Sequence, residues 1–137
     1  MLQKLHKSRG GFTLVEIMIV VAIIALLAAI AVPGFLRARK RSQATRILED
    51  LRMIDAAVDQ YAIEYNLKGG DTVPWAAIKL YLKPNSQLYS TQKSVIPSIT
   101  YDASYPVDAQ ISTPAGTGAA LSDVCPTEFW LPFTLVP

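Results

Sequence analysis

Few side chains in this 137-residue chain could make or break bonds. His6 is the only histidine and Cys125 the only cysteine. A lone cysteine closes no internal disulfide, and no Cys/His cluster has metal-ligand spacing. If His6 leaves with an N-terminal leader, the remainder holds no Ser/His/Asp triad, no Cys/His dyad and no His-ligated metal within one chain. Gly116-Thr117-Gly118 matches neither GxGxxG nor GxxxxGK(S/T) and reads as a turn. Asp102, Asp108 and Asp123 are oxygen donors in the loop-rich part, but no loop spaces its ligands closely enough for a calcium site. The expectation is no catalysis, no cofactor and no metal, with Cys125 a small buried hydrophobe.

Glu16 is the exception, because of where it lies. From Phe12 to Leu36 only Thr13, Glu16, Pro33 and Gly34 are not apolar, which leaves 21 of 25 residues. As a helix this segment would be roughly 37 Å long, enough for a ~30 Å hydrocarbon core. A carboxylate inside a membrane span is expensive and marks function by default; the plain alternative is a partly hydrated group at the interface. Ahead of the span, residues 1–11 carry Lys4, Lys7 and Arg9 and no acid, and behind it come Arg37, Arg39, Lys40 and Arg41. Both flanks are basic, so charge counting leaves orientation open.

Gly11-Phe12-Thr13-Leu14-Val15-Glu16, after a short basic leader and before a long apolar helix with Pro33, resembles the processing signature of type IV prepilins and secretion pseudopilins. The resemblance covers roughly residues 4–40. It implies cleavage between Gly11 and Phe12 by a membrane prepilin peptidase, and N-methylation of the new terminus on Phe12. It also implies that Glu16 attracts the terminal ammonium of a neighbouring subunit during assembly, and it places the leader in the cytoplasm. Arg37–Arg41 then reads either as a headgroup-level band or as a solvated basic helix face. The organisation implied is a cleaved leader (1–11), a transmembrane and filament-core helix (12–36), and an amphipathic helix half with a small head (37–137). The fold class is α+β, a long helix packed on a small antiparallel sheet.

Periodicity supports that layout. Ala44, Ile47, Leu48, Leu51, Ile54, Val58, Tyr61 and Tyr65 form an apolar stripe at helical spacing, read as core, and residues 66–70 are a helix stop. Asp71–Trp75 reads as a second helix start. Gln87–Ser90, Ser98–Asp102, Asp108–Thr113 and Phe129–Val136 are candidate short strands. Eight of the nine prolines lie at or after residue 74, which predicts a small, loop-rich sheet.

Charge is uneven. The chain is +2 overall, yet residues 47–137 hold five basic and ten acidic residues, a net of −5. Adjacent subunits could set the basic stem of one against the acidic head of another. The leading expectation is a structural subunit of a pilus or pseudopilus. Its partners would be identical or homologous subunits, the prepilin peptidase, an inner-membrane assembly platform and, before assembly, membrane lipid. It would sit in the bacterial inner membrane as a single-pass protein with its head outside the cytoplasm, and then in a periplasmic or cell-surface filament. The alternatives are a DNA-uptake pilin, disfavoured by the acidic head, and a signal-anchored periplasmic protein with an uncleaved span.

Overall fold

The computed structural model describes residues 11–136. Helix α1 runs Leu14–Tyr65 without a break in its assignment, through Pro33. Next come strand β1 (Thr72–Pro74), helix α2 (Trp75–Ile78) continued by a 3₁₀ turn (Lys79–Tyr81), and helix α3 (Gln87–Thr91). Strand β2 (Ser104–Pro106), helix α4 (Thr117–Leu121) and a 3₁₀ turn (Thr127–Trp130) complete the chain. The chain divides into two compact units at Leu36/Arg37.

Within the unit beginning at Arg37, the C-terminal half of α1 is the spine of the core. Ala44, Ile47, Leu48, Leu51, Ile54, Ala57, Val58 and Ala62 are buried on one side of it. They meet Val73, Ile78, Leu82, Leu88, Tyr101, Tyr105, Val107, Ile111, Leu121, Cys125, Trp130 and Phe133. The predicted stripe holds through Val58 and then weakens. Tyr61 is half-buried, and Tyr65, expected in the core, is 57% exposed and stacks on Tyr61 with ring centroids 4.4 Å apart. The helix stops where predicted: Asn66 takes a left-handed φ of 52°, and the Leu67 N–H donates to the Ala62 carbonyl at 2.9 Å. Asp50 ties α1 to the head, accepting from the Tyr101 hydroxyl at 2.9 Å.

The α+β class stands, but the sheet lies elsewhere than the candidate strands. It has two antiparallel strands, with Thr72 opposite Pro106, Val73 opposite Tyr105 and Pro74 opposite Ser104. The central pair is buried, while the prolines sit at the ends of the ladder, where a missing N–H costs least. Gln87–Ser90 is helical because Ser86 caps it: its Oγ accepts from the Tyr89 N–H at 3.1 Å. Of the other candidate strands, Ser98–Asp102 keeps one bridge, Lys93 to Thr100, and Asp108–Thr113 meets the chain's end through one, Ser112 to Thr134. The loops are held by side chains instead. Gln92 Nε2 donates to the carbonyls of Tyr101 and Asp102 at 3.0 and 2.9 Å, and buried Thr117 Oγ1 donates to the Pro114 carbonyl at 2.7 Å. Among the described residues no buried side-chain polar atom lacks a partner.

Candidate functional site

The N-terminal signature forms an exposed lead into a helix. Gly11, Phe12 and Thr13 precede α1, and all three are exposed. Thr13 caps the helix: its Oγ1 accepts from the Glu16 N–H at 3.2 Å. Thr13-x-x-Glu16 is a capping-box spacing, a signal present in the sequence that the motif reading did not use. Glu16 thereby falls in the first turn, where the unpaired N–H groups of the helix favour negative charge. Residues 1–10 of the expected leader, His6 among them, lie outside the described residues.

Two glycines in this region have no packing role among the described residues. A Cβ added at Gly11 or at Gly34 would meet nothing within 4 Å. Pro33 lies inside α1, where it removes one backbone donor. The span itself is bare. Sixteen large apolar side chains between Phe12 and Leu36 are 47–77% exposed. Full burial of one such side chain is worth about 1.5–3 kcal/mol, so together they represent tens of kcal/mol, against a typical folding stability of about 5–15 kcal/mol. α1 is the one helix among the described residues long and apolar enough to cross a membrane.

A profile for the prokaryotic N-terminal methylation motif matches residues 6–32. The type IV major alpha-pilin of Moraxella bovis is 36% identical over 113 residues, 82% of this chain and 68% of that protein. The chain belongs to the type IV pilin family. A fimbrial protein of Pseudomonas aeruginosa is 43% identical over 58 residues, 42% of this pilin-family chain but only 38% of its own length. Type II secretion system core protein G of Klebsiella michiganensis is 31% identical over 59 residues, 43% of the chain and 42% of that protein. No solved structure matches significantly.

The head of this pilin-family chain does not gather its reactive groups. Asp123 pairs with Lys40 at 2.8 Å, Asp102 donates its backbone N–H to the Tyr105 hydroxyl at 3.0 Å, and Asp108 packs beside Gly69. Among the described residues no group of three or more His, Cys, Asp or Glu side chains comes together. Cys125 is buried, as expected, and burial pushes its thiol up, opposed by the Arg41 charge. The hydrogen bond from Lys40 above all lowers the Asp123 carboxyl below its usual range; burial opposes it, and the Lys40 and Arg37 charges add smaller lowering effects. At least one stem-to-head charge pair is therefore made within a single chain. The aromatic end segment splits: Trp130 and Phe133 are core, Phe129 and Leu135 are half-buried, and Leu131 is 63% exposed.

Proposed function

We propose that this chain is a structural, non-enzymatic subunit of a type IV pilus-like or type II secretion pseudopilus filament. The observation that carries this reading is the bare apolar helix directly behind the methylation-type N-terminus. Such a surface needs a cover, first lipid and then the same helix of neighbouring subunits. The match reaches only 38% of the fimbrial protein's length, so its pilus supports the class of assembly and not a particular system.

In this reading residues 1–11 are a leader removed by a prepilin peptidase, 12–36 the membrane and filament-core helix, and 37–137 the amphipathic helix half with its head. Cleavage falls between Gly11 and Phe12. Among the described residues nothing lies within 4 Å of a Cβ added at Gly11, which supports a need for glycine outside the fold, such as close approach of a protease. Phe12 then carries the methylated terminus. The Glu16 carboxylate pairs with the terminal ammonium of an adjacent copy; two unit charges 4 Å apart gain about 4 kcal/mol at an effective dielectric of about 20. Pro33 supplies a weakened point in the helix for packing in the filament core. The head faces the periplasm or cell exterior, on an inner-membrane assembly platform before incorporation.

The test is Glu16→Ala in a strain with the full assembly machinery. Normal peptidase processing with at least a tenfold drop in sheared-filament content is expected, and normal incorporation would contradict the charge pairing. The acidic head, net −5 over residues 47–137, opposes a DNA-uptake role.

A further inference from the structure

We propose that Arg37, Arg39, Lys40 and Arg41 form a collar that binds the phosphodiester headgroups of anionic phospholipid and fixes the depth of the unassembled subunit in the bilayer. The inference deepens the membrane part of the functional reading and does not depend on filament assembly. These four residues follow the last apolar residue of the span at once, and no acidic residue lies between Glu16 and Glu49. At 3.6 residues per turn they point at about 0°, 200°, 300° and 40° around α1, so cations face most directions in the membrane plane. Arg37, Arg39 and Arg41 are exposed. Among the described residues, Lys40 to Asp123 is the one ion pair. Four cations against that single carboxylate leave the collar at +3.

Lipid suits this geometry better than one protein partner. A flat acidic surface would engage one side of the helix, whereas headgroups surround it. Guanidinium forks match phosphate oxygens bidentately, and their stems lie along the apolar boundary. The apolar run ending at Leu36 is long enough for a ~30 Å hydrocarbon layer, so the collar begins where that layer ends. A collar held at the headgroup layer thus fixes how far the apolar run can slide along the bilayer normal.

The test places the full chain in phosphatidylcholine bilayers and measures, by electron paramagnetic resonance, how much spin-labelled phosphatidylglycerol or phosphatidylcholine it immobilises. Preference for the anionic probe is expected at low salt, up to about fivefold per free arginine, and fading as salt rises. Arg37→Gln/Arg39→Gln/Arg41→Gln should abolish the preference, while the matching lysine variant keeps most of it. Equal immobilisation of both probes by the unaltered chain overturns the proposal. So does an undiminished preference in the glutamine variant, which would assign it to Lys4, Lys7 and Arg9. Loss of copy-to-copy crosslinking in the glutamine variant, with no lipid preference in the unaltered chain, would give the collar to an acidic head instead. No immobilised shell with either probe would refute the span itself, and the collar with it.

Discussion

Raising the pH above 10 should destabilise the head, and the size of the effect follows from two tyrosines. Tyr101 and Tyr105 are each 2% exposed. Burial raises the pKa of both hydroxyls beyond the ordinary tyrosine value of 10.0; the nearby Asp50 carboxylate, which accepts the Tyr101 hydrogen bond, adds to the shift at Tyr101. Both groups therefore keep their protons in the folded state, while the unfolded chain releases them from about pH 10 upward. Their contribution is intact below that pH and is lost as pH rises, because the unfolded state alone gains from ionisation. At pH 11 each held proton costs about 1.4 kcal/mol, or about 2.8 kcal/mol for the pair. That is about a fifth to a half of a typical stability of about 5–15 kcal/mol. Tyr81, pushed up to about 12 by its hydrogen bond to Glu64 above all, acts in the same direction. The assay is urea unfolding of the full chain in micelles from pH 8 to 11, followed by the tryptophan emission maximum. Tyr101→Phe should lose about 1–2 kcal/mol at pH 8, since the part-buried Asp50 carboxylate loses its donor, but only about 1.4 kcal/mol more by pH 11. Stability that stays flat to pH 11, or falls equally in both proteins, would refute the reasoning.

Further outcomes test the packing. Ile54→Ala, at a fully buried position on the head-facing side of α1, should cost about 2–5 kcal/mol in the same unfolding assay. Met53→Ala, about 100° around the helix at a 45% exposed position, should cost far less. Ser86→Ala removes the cap of α3 and should lower stability by about 1 kcal/mol, with Ser86→Asp restoring most of it.

The long helix and the N-terminal motif were legible because each rests on local signals. A run of 21 apolar residues, a stripe at spacings of three and four, and the Gly11–Glu16 motif all read along one stretch of chain, while the Thr13-x-x-Glu16 cap passed unread. Tyr65 broke the pattern because it lies in the last turn of α1, where its main neighbour is Tyr61 and not the head. The strands were misplaced because the head is held by loop hydrogen bonds and side-chain packing. Gln87–Ser90 has strand-like composition, yet one serine oxygen in front of it decides for a helix. Thr72–Pro74, read as a helix lead-in, becomes a strand only because Ser104–Pro106 arrives beside it from thirty residues away. Lys40 and Asp123 are 83 positions apart, and no sequence pattern connects them.

The most direct measurement is the mass of this chain recovered from sheared filaments of cells with an active prepilin peptidase. A subunit of the proposed kind lacks residues 1–11 and begins at a Phe12 carrying one methyl group. A chain that retains Met1–Gly11, or that stays in the membrane and never enters the filament, would contradict it.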